Sequence, residues 1–256
     1  MKIDLTGRVA LVTGASGELG RVMARTLSRC GADVAVHYLH NASRAEELVA
    51  EMQTAGVKSC AVQADITDLD SIQHMGQAIE ASLGAPDIVV ANAVIQIHPW
   101  TSVLEEDPKD YASQFESCVM QSVYLAKTFV PAMKRKRWGR FIAINTESAV
   151  EAAANSSAYV AGKRGLDGIV RVLAKEVGED QVTVNQIAPG WTISDSDRHR
   201  DTTPEMDERY RQTVPLKRRG TDQEVANVVA FVASDLASFI TGAYIPVCGG
   251  RVMPGI

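Results

Sequence analysis

The chain has 256 residues, 46% of them apolar and 22% charged, and its 26 basic against 31 acidic side chains leave a net charge of −5. This is the composition of a soluble globular protein with chain enough for a sizeable core, and its mild acidity argues against nucleic acid as the main partner, because phosphate neutralisation takes clustered Lys and Arg. The four cysteines, Cys30, Cys60, Cys118 and Cys248, lie too far apart for a zinc or redox pair and fit a reducing compartment.

Charges occupy the start, Met1 to Gly7, where a signal peptide needs its apolar stretch, and no run approaches the roughly 20 apolar residues of a membrane span. A full-length cytoplasmic protein with no membrane contact is expected. Arg8 to Thr13 is a short β-branched apolar run closed by glycines, the pattern of a strand buried on both faces. A helix is predicted over 18–30, and further buried strands over 33–38, 58–64, 87–92, 139–145, 182–187 and 243–247. Between them, 42–55, 68–83, 108–134, 156–178 and 222–233 carry helical spacing. The run Lys134-Arg135-Lys136-Arg137 reads as a helix end, where cations favour the dipole, rather than as a nucleic-acid patch. The polar stretch 191–215 is read as a substrate lid in which Pro204 opens a short helix. The alternation predicts an α/β fold, a doubly wound parallel sheet of about seven strands with helices on both faces, in a single domain over 1–256.

Three features carry chemistry. The first strand runs through Thr13-Gly14-Ala15-Ser16-Gly17-Glu18-Leu19-Gly20 into a helix, and glycines there let a pyrophosphate approach backbone N–H groups at the positive end of the helix dipole. Tyr159 and Lys163, four apart on one helix face, put an ammonium beside a phenol and help make it a usable acid near neutrality. Ala188-Pro189-Gly190 follows the sixth strand.

Together these motifs resemble the short-chain dehydrogenase/reductase family, over essentially the whole chain. Asn185 to Gly190, and the tail from Pro215 to Gly220 and from Ser238 to Gly242, look like those of bacterial 3-oxoacyl-carrier-protein reductases and sugar dehydrogenases. The resemblance implies a Rossmann-type fold and hydride transfer between a nicotinamide and a carbonyl or secondary alcohol. It makes Tyr159 the general acid and Lys163 its modulator and ribose ligand. The family's serine, thirteen residues before its tyrosine, falls on Thr146, with Ser148 as the fallback donor. The glycine turn (Gly14, Ser16, Gly17, Glu18, Leu19, Gly20), Tyr38 and Asn41, Asp65-Ile66, Asn92-Ala93, Pro189-Gly190, Thr192 and Ser194 are then implied as cofactor contacts. His98 and Trp191 are candidate substrate contacts.

Departures matter as much as matches. Glu18 stands where the family's turn has a glycine, and a carboxylate there must point to solvent or cap the helix. Ala91-Asn92-Ala93-Val94 replaces Asn-Asn-Ala-Gly, and the family's relay asparagine falls on Cys118 or Val119, depending on a one-residue offset. The second strand ends in Tyr38 without the carboxylate that selects NAD, and Asn41, Ser43 and Arg44 suit a phosphate, so NADP(H) is favoured over NAD(H). His37 and His40 do not read as a metal site, and no metal is expected. The leading expectation is a 3-oxoacyl thioester reductase. A sugar or polyol dehydrogenase of the same family is the alternative, and a nucleotide-binding protein with little catalysis is the alternative of another class. A homotetramer or homodimer, joined through the helices over 108–134 and 156–178 and the last strand, is implied by the resemblance.

Overall fold

The computed structural model describes residues 2–95, 100–193 and 203–255. Seven parallel strands, β1 (Val9–Val12), β2 (Asp33–Tyr38), β3 (Ser59–Gln63), β4 (Ile88–Ala91), β5 (Gly139–Ile144), β6 (Val182–Pro189) and β7 (Tyr244–Val247), form one sheet in the order β3-β2-β1-β4-β5-β6-β7. All residues of β1, β4, β5 and β6 are buried, as their near-continuous apolar runs require once helices cover both faces.

The helices are α1 (Glu18–Arg29), α2 (Ala42–Thr54), α3 (Leu69–Ser82), α4 (Pro108–Gln114), α5 (Gln121–Lys136), α6 (Ser148–Glu151), α7 (Ser157–Val177), α8 (Pro204–Thr213) and α9 (Asp222–Ala233). Met23 and Leu27 of α1, Leu48 of α2 and Val225 and Val229 of α9 pack on Val12, Val34, Val90 and Ile142. On the opposite face Ile72 and Ile79 of α3, Leu125 and Phe129 of α5 and Leu166 and Val170 of α7 pack on Leu11, Val89, Phe141 and Val184. The Rossmann-type sheet read from the sequence is therefore present, and its strand order reverses between β1 and β4. In open α/β sheets that reversal leaves a crevice at the carboxyl ends of the strands.

The structure corrects some boundaries. The helix predicted over 108–134 is α4 and α5 joined by a π-helical turn, Phe115–Met120, and it continues to Lys136 before Arg137 closes it at φ 51°. The basic run ends this helix and is tied to its neighbours: Lys134 pairs with Asp180 at 3.0 Å, and Lys136 reaches Asp87 at 2.7 Å. β6 runs two residues further than predicted because it stays paired with β7 up to Pro189 and Val247. The helix expected at Pro204 is α8, capped by the Thr203 side chain accepting from the Met206 N–H. No helix among the described residues is long and apolar enough to cross a membrane.

Candidate functional site

Two strand ends are locked together at the switch point. The Thr13 hydroxyl accepts the backbone N–H groups of Asn92 (2.9 Å) and Ala93 (3.0 Å), while the Asn92 amide donates to the Thr13 carbonyl at 2.8 Å. Gly14 then turns the chain at φ +65°, a left-handed conformation that suits glycine. Its N–H donates to Nδ1 of His37 at 2.8 Å, so the ring proton lies on Nε2, which faces the Ala64 carbonyl at 3.0 Å. His37 is buried, and burial pushes its imidazole below the usual range, which keeps it neutral in this double role. Gly20 packs directly on the turn: a Cβ there would lie 2.3 Å from the Gly14 carbonyl oxygen.

Gly17 starts α1 without a side-chain cap, whereas side chains cap α2, α3, α4, α8 and α9. Glu18 occupies the first helical position, and its carboxylate leans between Arg21 (3.9 Å) and Arg44 (4.0 Å). That placement suits the helix dipole and offsets the negative charge beside the turn.

A cleft of about 770 Å³ runs over the strand ends. Gly14, Ser16, Gly17, Glu18, Leu19 and Gly20 form one wall, and Asn41, Asp65 and Ile66 continue it. Asn92 and Ala93 form the floor, facing Thr146, Tyr159 and Lys163. Pro189, Gly190, Trp191 and Thr192 close the far end. Two expected residues are not on this surface. Tyr38 packs against the core from the last position of β2, so Leu39 and His40 face the cleft in its place. Ser148 opens α6, and its N–H donates to the Thr146 hydroxyl at 3.2 Å instead of lining the cleft. His98 and Ser194 lie outside the described residues, as does much of the expected lid.

Tyr159 and Lys163 share a face of α7. Lys163 is buried, donates from Nζ to the Ile144 carbonyl at 2.6 Å and lies 5.8 Å from the Tyr159 ring centre. The Trp100 ring stacks on Tyr159 at 6.0 Å between centres. Cys118 sits buried in the π-helical turn with Sγ 3.9 Å from Oε1 of Gln114. Gly162 lets α7 approach this segment, since a Cβ there would meet the Gln114 carbonyl oxygen at 2.8 Å.

Sequence reasoning missed Glu147. It is buried beside Thr146 and accepts at Oε1 from Tyr210 of α8 (2.8 Å) and Arg251 (2.7 Å). Burial pushes its carboxyl, and the Tyr210 phenol, upward. The Tyr210 oxygen in turn accepts the Trp191 N–H at 2.8 Å, while Arg219 lies 4.0 Å over the Trp191 ring. Glu147 and Arg251 are 104 residues apart, so no local spacing announces them. The signal available was a charged residue directly after the expected catalytic hydroxyl, just past the end of a fully buried strand.

Comparison with known proteins places this geometry. A family model described as enoyl-(acyl carrier protein) reductase matches residues 14–251. The chain is 36% identical to a 3-oxoacyl-(acyl-carrier-protein) reductase of Pseudomonas aeruginosa, covering 98% of this chain and 100% of that protein. It is 30% identical to nodulation protein G of Azospirillum brasilense, covering 96% and 98%. Among solved structures, a protein provisionally assigned as a gluconate dehydrogenase from Agrobacterium tumefaciens matches with a TM-score of 0.92 at 27% identity, covering 99% of this chain and 100% of that one. The reductase LugOII, which catalyses a keto-reduction at C1 in lugdunomycin biosynthesis, matches at 0.89 with 31% identity, covering 97% and 99%.

Proposed function

The chain belongs to the short-chain dehydrogenase/reductase family, whose members here are oxidoreductases acting on CH–OH groups, and on that premise we propose that it reduces the carbonyl of a 3-oxoacyl thioester with NADPH. The observation that carries the reading is the convergence of Thr146, Tyr159 and Lys163 on one cleft with the glycine turn. Tyr159 donates the proton to the substrate oxygen, Thr146 holds that oxygen from its hydroxyl, and Lys163 supports Tyr159 from beneath. The nicotinamide, when bound, supplies the hydride.

The residues present fit such a cofactor. The start of α1, with no side-chain cap and a close glycine packing behind it, leaves room and backbone N–H groups for a pyrophosphate. Asp65 and Ile66 would flank the adenine, Lys163 would hold the nicotinamide ribose, and Asn92, Ala93, Pro189, Gly190 and Thr192 would border the nicotinamide. Arg44, half-exposed beside Asn41, with no carboxylate at Tyr38, supports NADP(H) over NAD(H). The reading includes a cytoplasmic homotetramer or homodimer; Leu104 (96% exposed) and Phe115 (50%) on the segment carrying α4 are apolar surface for such an interface. A sugar or polyol substrate is the second reading, supported by the likeness to the gluconate dehydrogenase structure.

The test is a parallel titration of the nucleotide-free protein with NADPH and NADH, followed by nicotinamide fluorescence, then addition of a short 3-oxoacyl thioester. Tighter NADPH binding with turnover supports the proposal. Better NADH binding and an inert thioester favour the sugar or polyol reading, and failure to bind either nucleotide overturns both.

A further inference from the structure

Beside Thr146 and Lys163 runs a chain of polar side chains that begins at Asn145 on the cleft surface and leads away from it through Gln186 and Asp167. The Asn145 side chain accepts the Thr146 backbone N–H at Oδ1 (2.8 Å) and donates from Nδ2 to the Lys163 carbonyl (3.1 Å) and to Oε1 of Gln186 (2.5 Å). Gln186 donates from Nε2 to Oδ1 of Asp167, and the Asp167 carboxylate is held from solvent by Nε of Arg171 at 2.9 Å. Gln186 has no exposed surface and Asn145 is 3% exposed, so water does not substitute for these bonds.

Direction in this chain is set from its ends. An amide can present either its oxygen or its nitrogen, but a carboxylate only accepts and a backbone N–H only donates. Asp167 forces Gln186 to turn its nitrogen outward and its oxygen toward Asn145. Asn145 must then turn its nitrogen toward Gln186 and Lys163, which leaves its oxygen for the Thr146 N–H. A second observation ties the same stretch to the same helix: the Lys163 ammonium donates to the carbonyl of Ile144, the residue before Asn145. Ile144 to Thr146 is thus pinned to Lys163 by both its backbone and its side chain.

We propose that Asn145, Gln186 and Asp167 are positioning residues, which hold the Thr146 hydroxyl and the Lys163 turn of α7 in register, with Asp167 anchoring the outer end of the chain. The proposal rests on the function given above, and it predicts a defect in turnover rather than in nucleotide binding. Gln186→Met keeps the shape of the side chain and removes both bonds. The amide hydrogen exchange of Thr146, read by NMR, should then accelerate about tenfold, and kcat should fall about tenfold or more with the KM for NADPH within roughly twofold of wild type. Combining Gln186→Glu with Asp167→Asn should restore both, because a carboxylate at 186 accepts from Asn145 and an amide at 167 donates to it.

Unchanged Thr146 exchange in Gln186→Met overturns the proposal, as does faster exchange with unaltered kcat, or a double variant no better than the single one. If Gln186→Met does not fold, Asp167→Leu alone, at a partly exposed position, removes the acceptor of Gln186 and carries the same two readouts. A wild-type protein inert toward every thioester and polyol defeats the proposed function, while the exchange measurement still decides the direction of the chain.

Discussion

The two walls of the cleft are built by different means. The wall formed by the glycine turn is held by uncharged groups: Gly14 on the neutral His37 ring, the Thr13 hydroxyl on the N–H groups of Asn92 and Ala93, and α1 pressed against the turn at Gly20. The wall formed by Thr146 and Pro189 to Thr192 is held by Glu147 and by charged and phenolic side chains from distant segments, Tyr210, Arg219 and Arg251. The first arrangement fixes a rigid receptor for a ligand of constant shape. The second joins segments that belong to different parts of the chain, and on the proposed function it is the wall that would shape the substrate pocket.

The widest separation between the walls is reached by Tyr159→Phe, which removes the proton donor and leaves the glycine turn untouched. Turnover should fall about a thousandfold while the fluorescence titration with NADPH stays within twofold. Loss of nucleotide binding in that variant would break the division. Next in size, Glu147→Ala leaves Tyr210 and Arg251 without their buried acceptor, at a cost of about 3 kcal/mol and a melting temperature lower by roughly 6–12 °C. Proteolysis within α8 should accelerate in step; an unaltered melting curve would show that the charged wall holds nothing.

Gly20→Ala strikes the other wall. Its Cβ would meet the Gly14 oxygen, so the turn must move, at about 2 kcal/mol, and NADPH affinity should fall more than tenfold with kcat at saturation preserved. The smallest effect concerns His37. Its folded-state pKa is depressed by burial below the ordinary 6.5, so the unfolded chain takes up the proton first as the pH falls. Its contribution is complete above pH 6.5 and is lost as the pH falls below that value. The difference in melting temperature between wild type and His37→Leu should narrow as the pH is lowered from 7.5 to 5.5. A constant difference would mean that His37 does not titrate against the turn.

The same contrast explains what the sequence revealed. The glycine turn and the Tyr159–Lys163 pair are local: their meaning lies in spacings of three and four residues that a helix or a tight turn converts directly into proximity. The strands were legible because a parallel sheet covered on both faces demands unbroken apolar runs. Glu147, with partners 63 and 104 residues away, has no such spacing, and neither does the link from Asn145 to Gln186 across β5 and β6. Tyr38 packs against the core at the end of β2, while His37, Leu39 and His40 on either side of it line the cleft. A strand-end rule counted in sequence has no means of knowing where the pleat stops.

The π-helical turn Phe115–Met120 decides how this chain would absorb a change in length. One widened turn accommodates a residue more than a regular helix of the same rise, and it does so without rotating the apolar faces of α4 and α5 relative to each other. A one-residue change of length at this turn would therefore leave Gln114 against Gly162 and Leu125 in the core, and would change which side chain of the turn meets Gly165 of α7, where Val119 now sits.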